Sequence, residues 1–166
     1  MTLTRRTMMV SLAALLAGCG QPSKFKSYNG PEVTNLIVAK KRRRMWLMHN
    51  DTILRRYRIA LGFAPKGDKT VEGDGKTPEG TYFIDRRNAN SRFHLSLGIS
   101  YPNAQDRAEA ARLGQKPGGD IFIHGRGPRF SKARGDWTWG CIAVDDDEIE
   151  EIYAMVRNGT RIDILP

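Results

Sequence analysis

Residues 121–141 read IFIHGRGPRFSKARGDWTWGC. Ile121-Phe122-Ile123 is a short apolar run of strand character that delivers His124-Gly125, and Asp136-Trp137-Thr138-Trp139-Gly140 is a polar, aromatic turn that delivers Cys141. A lone cysteine is more often a small buried hydrophobe, and a lone histidine a structural one. Their shared context argues otherwise. Each stands beside a glycine at the end of an apolar strand, where a thiol is reachable and backbone N–H groups are free. A nucleophilic thiol needs a nearby imidazole, and the tetrahedral intermediate that it forms needs N–H donors.

Downstream, Ala143-Val144 leads to Asp145, a cap for a helix over Asp146–Arg157 whose Ile149, Ile152 and Val156 share a face. Gly159 ends it, and Arg161–Leu165 alternates as a last strand. Upstream, residues 103–114 predict a short helix between Asn103 and Gly114, and Thr81–Asp85 a short strand. Further back, Pro65–Gly80 is a loop rich in glycine and charge. Runs at Asn35–Ala39, Arg44–His49 and Ile53–Gly62, the last two joined by Asn50-Asp51, predict an antiparallel meander. The cluster Lys40-Lys41-Arg42-Arg43-Arg44 reads as a charged turn leading to a solvated strand edge rather than a nucleic-acid site. The fold class is mainly β, in one domain over residues 33–166.

The first 18 residues place Arg5 and Arg6 before an apolar run from Met8 to Leu16, then Leu16-Ala17-Gly18-Cys19. This is the pattern of a lipoprotein signal peptide with Cys19 as the lipidated residue, and the run is too short to span ~30 Å of hydrocarbon. Residues 19–32 read as a flexible tether. The predicted location is the periplasmic side of a bacterial envelope, anchored by lipid; Gly20 after the cysteine favours the outer membrane of a diderm cell. The formal charge is +9; beyond residue 18 it is +7, from 25 basic and 18 acidic side chains. That excess favours anionic partners without choosing one.

Two other chemistries fail on spacing. Gly75-Lys76-Thr77 resembles the end of a phosphate loop, but Thr70 stands where a glycine is required and Pro78 blocks a following helix. His49, His94 and His124 show no paired metal spacing, so neither metal nor cofactor is predicted.

The ordered landmarks resemble the L,D-transpeptidases with a YkuD-type catalytic domain: Ala60-Leu61-Gly62 closing the meander, Gly75-Lys76-Thr77-Pro78-Glu79-Gly80-Thr81-Tyr82, and His124 followed by Thr138-Trp139-Gly140-Cys141. The stretch from Ser91 to Asn103 is similar to a periplasmic murein transpeptidase and endopeptidase subgroup, one branch of which detaches lipoprotein from peptidoglycan. The resemblance implies a β-sandwich with two short helices, acting on peptidoglycan stem peptides through a Cys141 thioester. His124 would be the base, Gly125 would orient it, and the N–H groups of Gly140 and Cys141 would hold the oxyanion. Thr138, Arg126 and Trp139 are candidate substrate contacts. The second half-reaction would pass the stem to an amine, on another stem or an envelope lipoprotein, or to water. Many members carry arginine two positions after the cysteine; here Ala143 stands there, which leaves transfer and hydrolysis both open.

Overall fold

The computed structural model describes residues 23–166. The readings of residues 1–18 as a signal and of Cys19 as lipidated fall outside them. Eight strands are present: β1 (Asn35–Ala39), β2 (Arg44–His49), β3 (Thr52–Arg58), β4 (Gly80–Asn88), β5 (Ser96–Ile99), β6 (Phe122–His124), β7 (Ile142–Ala143) and β8 (Arg161–Leu165). Three helices join them, α1 (Ala104–Arg112), α2 (Gly127–Phe130) and α3 (Asp146–Met155). The fold is mainly β as expected, and the extra helix, α2, is a single turn started by Pro128 within the loop between His124 and Cys141.

The strands form one ladder in the order β3-β2-β1-β8-β4-β5-β6-β7. The expected sandwich takes the form of this single curled sheet, and β4 is where it turns. Gly80–Phe83 pair with β8, whereas Ile84–Asn88 pair with β5, with a register shift between Ile84 and Arg86. A bulge of this kind bends a strand and lets one sheet face itself across a core. Alternation in β1 and β2 sends Leu36, Val38, Met45 and Leu47 inward, while all four residues of β5 are buried. The meander is antiparallel as predicted, but β3 ends at Arg58. Ala60 and Gly62 instead make isolated bridges to Ala143 and Thr138, which brings the meander's tail to the Cys141 turn.

Helix α3 packs Ile149 and Ile152 against β5 and β6, fully buried. Glu148 accepts the Asp145 N–H at 2.9 Å, satisfying a first-turn donor. Helix α1 is capped by Asn103, whose side chain accepts the N–H groups of Gln105 and Asp106. Buried Asp106 also accepts the Tyr82 hydroxyl.

The basic cluster differs from its reading as a solvated turn. Lys40 is only 2% exposed, and its ammonium donates to Gly67 O, Thr77 O and Glu79 Oε1 at 2.6, 2.7 and 2.8 Å, fastening the 65–80 loop. Arg43, at φ 50°, turns back to form a bidentate pair with Asp136. A contiguous basic run does not reveal which of its members the fold takes inside. The segment read as a tether also has partners: Lys24 donates to Ala89 O at 2.6 Å, Lys26 pairs with Glu150 at 3.3 Å, and Phe25 meets the Tyr153 ring on α3.

Candidate active site

Strands β6 and β7 run parallel, with Ile123 opposite Ile142 and His124 opposite Ala143. One residue earlier, the same register sets Cys141 beside Phe122. Ile123 and Ile142 face the core, so His124 and Cys141 share the opposite face as diagonal neighbours. Strand spacing and rise put such Cα atoms on the order of 8 Å apart, within reach of an imidazole and a thiol. The sequence alone left open whether this pair meets; the parallel register sets both residues on one face of the sheet.

His124 is 2% exposed, and its Nδ1 lies 2.6 Å from the carbonyl oxygen of Gly125. A carbonyl only accepts, so Nδ1 carries the proton and Nε2 keeps its lone pair. The orientation expected of Gly125 is therefore present. The ring stacks on Phe93, centroids 4.3 Å apart, and meets the edge of Trp137 at 5.7 Å. Phe130 of α2 stacks on Trp137 at 4.9 Å, completing an aromatic wall. Burial lowers the His124 pKa from 6.5 to about 4, against the raising effect of the Gly125 carbonyl. The resting imidazole is neutral.

Cys141 is half-buried, with its Sγ 3.5 Å from Asp120 O. Burial pushes the thiol up from 9.0 to about 11, although the Phe122 backbone and, more weakly, Lys69 and Arg86 favour the thiolate. A neutral thiol and a neutral imidazole on one sheet face suit proton transfer during attack rather than a preformed ion pair. The thiol opens to a cleft of about 380 Å³ walled by Lys69, Glu72, Asp120 and Trp139.

The turn before Cys141 is held by Thr138, whose hydroxyl donates to Cys141 O at 2.7 Å and accepts the Gly140 N–H at 3.2 Å. Thr138 is 4% exposed, so it shapes the turn instead of facing the cleft. The Gly140 N–H, read as an oxyanion donor, is engaged by that hydroxyl. Gly140 has φ +122°, and a β-carbon there would lie 2.6 Å from Lys76 O, so only glycine fits. Here the Gly75-Lys76-Thr77 segment has its use: it backs the turn, with Thr77 accepting the Gly62 N–H at 3.1 Å.

Trp139 is 73% exposed on the cleft wall, edge-on to Phe63 at 5.0 Å. Arg126 is occupied within the chain, pairing with Asp145 at 2.6 Å and donating to Ala133 O at 2.7 Å, so it fastens the loop. Asp146 accepts the Arg126 and Gly127 N–H groups at 2.7 and 2.9 Å. His94 pairs with Glu150 on α3 at 2.7 Å, a structural role. Asp136, Phe93, Phe130 and Lys69 were not singled out by sequence reasoning. Asp136 and Phe93 stood within quoted motifs, but only their contacts mark them. Among the described residues no cluster of three or more His, Cys, Asp or Glu side chains is arranged for a metal.

Comparison with known proteins identifies the family. Residues 34–164 match the family model YkuD, L,D-transpeptidase catalytic domain. YafK, an L,D-transpeptidase homologue of Escherichia coli (strain K12), is 31% identical over 107 residues, covering 63% of this chain. The match spans only 37% of YafK, little more than a third of its length. Solved structures share the fold, among them the following two. The helical cell shape determining protein Pgp2 of Campylobacter jejuni aligns over 87% of this chain and 51% of its own, with TM-score 0.62 and 24% identity. Mycobacterium tuberculosis L,D-transpeptidase 1 aligns over 81% and 62%, with TM-score 0.52 and 13% identity. Since the family match covers nearly all of the described residues, the chain belongs to the YkuD family of L,D-transpeptidase catalytic domains.

Proposed function

We propose that this domain is a cysteine-dependent L,D-transpeptidase acting on the tetrapeptide stems of peptidoglycan. The observation that carries the reading is the His124 tautomer: an Nε2 lone pair, fixed by the Gly125 carbonyl, on the same sheet face as the Cys141 thiol. In the first half-reaction the thiol proton passes to Nε2 while sulfur attacks the diaminopimelate carbonyl. The C–N bond then breaks, and the imidazolium gives its proton to the departing D-alanine amine. A thioester remains. The Cys141 N–H is the oxyanion donor, since Thr138 holds that of Gly140. An acceptor amine on another stem, or on an envelope lipoprotein, then attacks the thioester and Cys141 leaves as thiol. Intact-mass measurement with a carbapenem tests the nucleophile. One covalent adduct on the wild type and none on Cys141→Ala is expected; an adduct that survives the substitution refutes it.

A second reading, hydrolysis by the same pair, is favoured by Ala143. Its backbone is bonded both ways to Ala60 and it is 1% exposed, so no charged side chain stands two positions after Cys141. Digestion of purified sacculi separates the two, because new crosslinks indicate transfer whereas freed stems or lipoprotein remnants indicate water. The reading of residues 1–19 as a lipoprotein signal supports a periplasmic, lipid-anchored enzyme. Labelling with a fatty-acid analogue, lost in Cys19→Ser, tests it.

A further inference from the structure

Two lysines are buried among the described residues, and they differ in one respect. Lys40 has an acceptor for each of its three N–H bonds, Gly67 O, Thr77 O and Glu79 Oε1. Lys69 is 3% exposed and has two, Val71 O and Asp74 Oδ1, both at 2.9 Å, besides the face of the Tyr101 ring with its centroid 6.0 Å away. Lys69 lines the Cys141 cleft. Its partner Asp74 also takes the N–H groups of Thr70, Val71 and Lys76, at 2.9, 3.1 and 3.0 Å, so that carboxylate spreads its charge over three backbone dipoles besides the ammonium. A buried ammonium with an unused N–H is costly unless a further acceptor completes it. The acids of the cleft stand at its rim: Glu72 is exposed, and Asp120 is 90% exposed and paired with Arg86 at 3.1 Å. The buried cation of the cleft wall is therefore Lys69, held with Asp74, while the exposed acids stand at the rim.

We propose that Lys69 is the anion-binding residue of the acyl-donor site, its third N–H receiving the carboxylate of the C-terminal residue that leaves when Cys141 is acylated. The assignment rests on the transpeptidase reading. In a stem ending in D-alanine the carboxylate carbon is two bonds from the nitrogen of the attacked amide. A substrate presenting its carbonyl to the thiol must therefore place that charge within a few ångström of it, inside this cleft. Arg126 is tied to Asp145, and Ala143 supplies no charge, which leaves Lys69 as the buried cation on the cleft wall. Recognition of a free terminal carboxylate would select a D-alanine-terminated donor over a neutral amide.

Alkylation of the full chain tests this without peptidoglycan. Iodoacetate and iodoacetamide present the same electrophile with and without a carboxylate, and modification is read by mass on the tryptic peptide 135–157 that carries Cys141. Any general effect of Lys69 on the thiolate cancels in the ratio of the two rates. The ratio is expected to fall about tenfold in Lys69→Met, and to stay within about twofold of wild type in Lys69→Arg, which keeps the charge. An unmoved ratio in Lys69→Met overturns the proposal, as does an equal fall in Lys69→Arg. On muropeptides, Lys69→Met is expected to raise KM for donors ending in D-alanine to the value for their C-terminal amides. Absence of any wild-type turnover would count against the proposed function, whereas an unmoved alkylation ratio counts against Lys69.

Discussion

His124 combines burial with an obligatory donor role, and both have measurable consequences. Its folded pKa of about 4 lies below the ordinary 6.5, so between those values the unfolded chain binds more protons than the folded one. Stability therefore rises with pH across that window and is lost as pH falls from 6.5 towards 4, by up to about 3 kcal/mol from this residue. Denaturant melts at pH 4.5 and 7 are expected to show that difference in the wild type and much less of it in His124→Gln. Acylation of Cys141 should survive down to the same low pH, because the base stays unprotonated. The proposed pair was legible because histidine and cysteine stand at strand ends beside glycine and follow the other landmarks in order. Lys69 was not, since nothing in Asp68-Lys69-Thr70 separates a buried ammonium from a solvated one. Arg126 misled for the converse reason: its position in the loop was right for a substrate contact, but Asp145 was already within reach.

The loop from Arg126 to Asp136 is held by side chains rather than by ladder bonds. Arg126 grips Asp145 at one end, and Asp136 at the other accepts both Arg43 and, at 2.9 Å, the Leu61 N–H. Phe130 within the loop and Trp137 just after it lie against Phe93 and so against His124. Asp136→Ala removes the carboxylate and leaves a partly buried guanidinium and a backbone donor without it, at a cost of about 2 kcal/mol. Trypsin is expected to cut after Arg129, Lys132 and Arg134 faster in this variant. Acylation should slow as the wall behind His124 loosens; unchanged cleavage would show that the loop is held elsewhere. Strand and helix periodicity made most elements readable from sequence. Helix α2 was not, because a four-residue turn is too short to show a period.

At the scale of the molecule, one curled sheet joins the meander to the reactive strands, and the residues before β1 lie against its far helix. Lys24, Phe25 and Lys26 contact the β4–β5 connection and α3, and α3 packs beneath His124. A chain starting at Val33 is expected to lose about 1–2 kcal/mol relative to one starting at Ser23, from exposed ion pairs and one aromatic contact. Urea titration measures this, and equal midpoints would show that the segment adds nothing. The composition of residues 20–31 spoke for a tether because polar, Pro/Gly-rich chain looks alike whether or not it has a surface to lie on. The parallel pairing of β6 with β7 has a separate consequence. Parallel neighbours require a long crossover, here the loop that carries α2. His124 and Cys141 are placed by the register of two short strands, and the crossover returns the chain from the end of one to the start of the other. Its exposed side chains Ser131, Lys132 and Arg134 can thus be rewritten while the two strands stay in place, whereas Arg126, Phe130 and Asp136 hold the loop to the rest of the fold.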